Sequence, residues 1–90
     1  MTSERAPIAE RVKSKLLAEL PAEEVVVVDE SHMHRGHAGA KGGGAHLRVK
    51  VVASIFMGKG LLARHRMVNA ILAEELKEEI HALAIDAHHA

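Results

Sequence analysis

The ninety-residue chain contains no cysteine. Disulfides, thiolate metal sites and a cysteine nucleophile are therefore excluded, and a chain without thiols fits a cytoplasmic setting. Aromatic residues are almost missing as well, Phe56 being the only Phe, Tyr or Trp. Proteins that hold single-stranded nucleic acid usually stack bases on aromatic rings, so that mode of binding has little to work with. Charge of one sign is also lacking, because twelve basic residues are matched by twelve acidic ones. Affinity for nucleic acid comes largely from phosphate neutralisation, so only a local basic patch could supply it. No apolar run approaches the ~20 residues of a membrane-spanning helix. The first residues, Met-Thr-Ser-Glu-Arg-Ala-Pro, lack the apolar core of a secretion signal. These absences predict a cytoplasmic protein with no membrane partner.

What the chain has in excess is histidine, eight in ninety residues. Histidine titrates near neutrality and is a common metal ligand.

The apolar positions Ile8, Val12, Leu16 and Leu20 recur every four residues with Leu17 beside them. This predicts a helix with one buried face, ended by Pro21, with Pro7 at its first position and Arg11, Lys13, Lys15 and Glu19 facing away. Val25 to Val28 are β-branched, lie between turn-formers and read as a buried strand closed by Asp29-Glu30-Ser31. Residues 32–44 form a loop with five glycines in thirteen positions, where fixing the backbone is costly. That loop holds His32, His34 and His37.

From Ala45 to Ser54, His46, Arg48 and Lys50 alternate with Leu47, Val49 and Val51, which predicts a strand with one wet, basic face. A turn at Phe56–Gly60 leads into a long amphipathic helix from Leu61 to about Glu79. Leu61, Val68, Leu72 and Leu76 form its buried stripe, and Glu74, Glu75, Glu78 and Glu79 its solvated face. His81 to Ile85 read as a third strand and His88-His89-Ala90 as a tail. The first two strands should pair antiparallel, and the strand–helix–strand connection should set the third parallel to the second. The expected fold is a single α+β domain over residues 1–90, a three-stranded mixed sheet with its helices on one face.

No serine lies in a nucleophile motif, and Gly42-Gly43-Gly44 is not followed by the lysine–hydroxyl pair of a phosphate loop. The chain reads as a non-enzyme. His-Glu-x-x-His and related zinc spacings are missing, so any histidine site is incomplete and needs ligands from elsewhere. Arg64-His65-Arg66 occupies the first turns of the long helix, where the dipole disfavours cations by roughly 0.3–1 kcal/mol. A basic cluster placed against helix stability points to a partner surface. With Lys59 and the strand face of His46 and Arg48, it forms the candidate surface for a partner or for DNA.

Several segments, taken in order, resemble the BolA family: Asp29-Glu30-Ser31, Phe56-x-Gly58, Arg64-His65-Arg66-Met67-Val68, Leu72-Ala73-Glu74-Glu75-Leu76 and His81-Ala82-Leu83-Ala84-Ile85. The resemblance runs from the first helix to the last strand. It implies a KH-like (class II) α-β-β-α-β domain without enzymatic activity, although the Gly-x-x-Gly loop of KH RNA binders has no counterpart here. BolA-like proteins pair with monothiol glutaredoxins and share a bridging [2Fe–2S] cluster, in iron–sulfur trafficking or iron regulation. The glutaredoxin brings its cysteine and a glutathione thiolate, and the BolA partner brings histidine, or histidine plus cysteine.

On this resemblance His81 matches the family's C-terminal histidine ligand, and His34 the second ligand position in the loop after Asp-Glu-Ser. The loop is longer and richer in glycine than the family's, so His37 and His32 are alternatives to His34. Arg64, His65 and Arg66 would meet the partner or its glutathione carboxylates, a role suited to arginine's forked donors. The resemblance also implies an alternative. Some members are transcription regulators, which would bind DNA through the Arg64–Arg66 helix and the basic strand face.

Overall fold

The computed structural model describes residues 6–31 and 44–90. Helix α1 (Ile8–Glu19) is capped by Pro7, whose extended ψ of 149° places it just outside the helix rather than at its first position. The Pro7 carbonyl accepts the N–H groups of Glu10 and Arg11. Val12, Leu16 and Leu20 are buried as their spacing predicts, and Leu17 lies at the exposed side of the stripe.

Strand β1 (Glu24–Asp29) pairs antiparallel with β2 (Ala45–Val52), and β2 pairs parallel with β3 (Ile80–His88), giving the order β1-β2-β3. The helices cover one face of this sheet. Leu47, Val49 and Val51 are buried beneath them, and Arg48 and Lys50 are exposed on the open face. The valine run of β1 is not buried throughout. Val25 is buried, while Val26 and Val28, which alternate onto the uncovered face, are 42% and 45% exposed.

After β2 the chain makes a short 3-10 turn, Ser54–Phe56, that drives Phe56 fully into the core. The strand therefore stops at Val52 rather than Ser54. The long helix divides at Leu72, whose φ of −97° and ψ of 19° separate α2 (Leu61–Ile71) from α3 (Ala73–Glu78). Leu72 N–H still donates to the Val68 carbonyl and Leu76 N–H to that of Leu72, so the chain bends without losing those bonds. The bend sets α3 against α1, where Lys15 pairs with Glu75 and Arg11 with Glu79. These two carboxylates thus join helices instead of facing only water, and Arg11 and Lys15 do not simply face away. Leu61 leaves the expected stripe and is 64% exposed, whereas Val68 and Leu72 are buried.

The third strand is longer than its sequence suggests. Asp86, Ala87 and His88 continue it, with His88 opposite Val52 and its carbonyl accepting the Ala53 N–H, so His88 is strand rather than tail. Pairing with β2 overrides the weak strand preference of Asp and Ala there.

Candidate metal centre and partner surface

Parallel pairing brings the start of β3 beside the start of β2. The register slips by one residue there: Ala45 lies opposite Ile80, but His46 lies opposite Ala82. His81 is the extra residue, and such a bulge re-aims a side chain relative to the regular pleat. Ile80 remains buried under the helices while His81 is exposed. The imidazoles of His46 and His81 stand with centroids 5.1 Å apart and planes tilted by 43°.

The backbone around both rings is tightly held. Ser31 Oγ accepts the His46 N–H at 3.1 Å, and Asp29 Oδ1 accepts the Ser31 N–H at 2.9 Å. Glu30 N–H donates to the His46 carbonyl at 2.7 Å, and the Glu30 carboxylate accepts Arg48 Nε at 3.1 Å. Asp29-Glu30-Ser31, which in sequence only closes a strand, is therefore a clasp on His46. On the other side Gly44 has φ of 95°, and a Cβ there would lie 2.8 Å from the Cβ of His81. Only glycine leaves His81 its place. His34, His37 and His32 lie outside the described residues.

The basic cluster is built differently. Adjacent helical residues diverge by about 100°, and Arg64, His65 and Arg66 accordingly meet three surroundings. Arg64 turns inward: Nη1 donates to the Ala87 carbonyl at 3.0 Å, Nε to the Lys59 carbonyl at 2.9 Å, and the guanidinium carbon lies 6.0 Å from the Phe56 ring centroid. His65 is half-buried, and its Nε2 meets no hydrogen-bond partner among the described residues. Arg66 and Lys59 are exposed. Ala87 lies six residues along β3 from His81, about 20 Å on a strand. The histidine pair and the basic cluster therefore occupy opposite ends of the sheet. Sequence reasoning also misses four exposed apolar side chains near the basic cluster: Ile55, Met57, Leu61 and Leu62 are 45–64% exposed. The Leu61-Leu62 pair directly after Gly60 is their one sequence signal.

A family model described as BolA-like protein matches residues 16–90. The chain belongs to the BolA family. The chloroplastic BolA1 protein of Arabidopsis thaliana is 45% identical over 80 residues, which cover 86% of this chain and 50% of that protein. The DNA-binding transcriptional regulator BolA of Escherichia coli strain K12 is 41% identical over 81 residues, covering 90% of this chain and 74% of that one. Among solved structures, the BolA domain of SufE1 from Arabidopsis thaliana matches with a TM-score of 0.81 at 36% identity, covering 96% of this chain and 95% of that one. The α+β fold read from the sequence is that of a BolA domain.

Proposed function

We propose that this BolA-like chain is a non-enzymatic partner of a monothiol glutaredoxin and shares a bridging [2Fe–2S] cluster with it, in iron–sulfur cluster trafficking or iron regulation. The observation that carries this reading is His81, exposed on the bulge of β3 and paired with a second imidazole in a chain that has no cysteine. The cluster is cargo held between two proteins. This chain has no thiolate to give it, and the glutaredoxin cysteine and glutathione supply the thiolates. Nitrogen in place of thiolate raises a cluster's potential, which suits a cluster that is passed on or sensed. A thiol-free chain also suits the reducing cytoplasm. The test is anaerobic reconstitution of the chain with a monothiol glutaredoxin, glutathione, iron and sulfide. The expected result is a heterodimer whose visible circular dichroism differs from that of the glutaredoxin homodimer and disappears with His81→Ala. An unchanged homodimer spectrum would overturn the reading.

A second reading has its own support. The Escherichia coli relative is named as a DNA-binding regulator, and Lys59, Arg66, Arg48 and Lys50 are exposed cations. Binding through them would lose affinity steeply with salt. Arg66→Ala should then flatten the salt slope by about one unit while His81→Ala leaves it unchanged.

A further inference from the structure

The turn between β2 and α2 carries a group of side chains that the proposed function does not use. Ile55, Met57, Leu61 and Leu62 are all exposed there, and Lys59 and Arg66 are exposed among them. We infer that this turn is a peripheral membrane contact, in which the four apolar side chains enter the surface of a lipid bilayer and the cations meet its anionic headgroups. No described helix is long and apolar enough to cross a bilayer. That absence underlies the expectation of no membrane partner, but a protein that lies on a bilayer needs no span.

The apolar side chains are held outward. Phe56 is fully buried, and its neighbours Ile55 and Met57 are turned away from the core. The Met57 N–H donates to the Ser54 carbonyl at 3.0 Å and the Lys59 N–H to that of Phe56 at 3.0 Å. Arg64 Nε donates to the Lys59 carbonyl at 2.9 Å. The turn therefore has a fixed shape and cannot tuck its apolar groups beneath it. It also stands clear of the rest of the fold, since a Cβ added at Gly58 or Gly60 would meet nothing within 4 Å. Apolar side chains on a projecting turn and the helix start beside it make a knob, not a groove.

Charge selects the occupant. From Ile55 to Ala73 the chain has no Asp or Glu. Among the described residues Lys59, Arg64 and Arg66 pair with no carboxylate. The Glu23 carboxylate beside Ser54 is held by that residue's hydroxyl and N–H. Arg66 follows Leu62 by four residues, so both lie on one helix face with the cation about 6 Å further along the axis. Apolar groups of an interfacial segment sit ~5–10 Å into the boundary of headgroups and acyl chains. With α2 entering by its first turn, Arg66 comes level with the headgroups when Leu62 is immersed. The carboxylates of α3 lie beyond the whole of α2, about 16 Å away along the axis, and the Debye length is only ~8 Å.

Size argues against a protein occupant. A stable protein interface takes about 20–30 residues a side, far more than this turn offers. A bilayer needs no matching shape.

The probe is vesicles of phosphatidylcholine with and without phosphatidylglycerol. The chain has no Trp or Tyr, so Met57→Trp in the full chain gives a single reporter at the turn. Its emission is expected to shift to the blue with the anionic vesicles. Val28→Trp, on the open sheet face, should show no shift. Each Lys or Arg near an anionic surface strengthens binding about fivefold, so neutral vesicles should bind at least roughly twentyfold more weakly. Leu61→Gln and Leu62→Gln in the reporter chain should each weaken binding by roughly tenfold. Val26→Gln, exposed but remote from the turn, should leave it within about twofold. Circular dichroism confirms that each variant is folded.

No blue shift with either vesicle overturns the contact, as does a loss in Val26→Gln equal to that in the leucine variants. A Met57→Trp reporter already shielded in the protein alone, with sedimentation showing association, assigns the turn to a second copy and overturns the proposal. Shielding by a glutaredoxin and never by vesicles assigns it to a protein partner and overturns it too. The cluster reading stands or falls separately, because its reconstitution contains no lipid.

Discussion

Arg11 and Glu79 join the first helix to the residue that precedes β3. Both terminal guanidinium nitrogens donate to the Glu79 carboxylate, Nη1 at 2.8 Å, and the backbone carbonyl of the same glutamate accepts the Ala45 N–H. One residue thus ties α1, the end of α3 and the start of β2 together, directly before Ile80 and His81. Arg11→Ala should cost about 1 kcal/mol, the upper range for a partly exposed pair with bidentate geometry. In a domain of this size that lowers the melting temperature by roughly 4–8 °C. Arg11→Lys keeps the charge but not the fork and should fall between. The Glu79 hydrogen bond raises the Arg11 pKa above its ordinary value, so the pair's contribution is complete across the neutral range and is lost only at strongly alkaline pH. Thermal melts of the three proteins at neutral pH check the order.

The carboxylate of Glu23 accepts the Ser54 hydroxyl at 2.6 Å and the Ser54 N–H at 3.0 Å, which fastens the start of β1 to the 3-10 turn. The hydroxyl's hydrogen bond holds the Glu23 pKa below its ordinary 4.5. A lowered pKa contributes stability that is present above 4.5 and is lost as pH falls through the folded-state value. Carboxyl-carbon NMR titration should show Glu23 rising toward its ordinary value in Ser54→Ala. The stability gap between that variant and the parent should narrow as the solution is acidified below 4.5.

Phe56 is among the largest fully buried side chains. Phe56→Ala should cost about 3–5 kcal/mol through lost transfer energy and the cavity left behind. Against a typical total of ~5–15 kcal/mol that leaves a marginal fold. Urea denaturation reads the midpoint directly.

Arg64 and Arg66 should separate cleanly. Arg64→Ala removes charge-assisted bonds to the Ala87 and Lys59 carbonyls and the contact with Phe56, a loss of about 1–3 kcal/mol. Arg66 is exposed, and Arg66→Ala should stay within about 0.5 kcal/mol. Urea melts of both variants test this. If Arg64→Ala proves neutral, its inward contacts carry no stability.

Gly44→Ala combines two effects. Its φ of 95° strains any L side chain, at roughly 1–2 kcal/mol, and the new methyl group would overlap the Cβ of His81. The melt should fall, and the ring signals of His81 should shift even without metal.

Burial in α1 and β2 follows a single period, so both stripes are legible from residue order alone. The four valines of β1 hide their alternation because every one is apolar. Only the one-sided cover of helices decides that Val26 and Val28 stay exposed. The division at Leu72 has neither glycine nor proline to announce it, and the Lys15–Glu75 and Arg11–Glu79 pairs that link its far side to α1 are long-range. His81 is legible as a candidate because it opens an apolar strand. Its pairing with His46 rests on a parallel register with a one-residue slip, a long-range relation that local pattern does not encode. The clasp of Asp29, Glu30 and Ser31 is hidden for the same reason.

Arg64's bond to Ala87 has a consequence for the behaviour of the folded chain in company. The His88 carbonyl is turned toward β2, so that of Ala87 points to the outer edge of the sheet. β3 is nine residues long and lies at that edge, the kind of strand that recruits others into aggregates. A guanidinium already seated on the carbonyl confronts any incoming strand with a fixed positive charge where it needs an open acceptor. The contact that seats Arg64 therefore also leaves the outer edge of β3 with one open acceptor fewer.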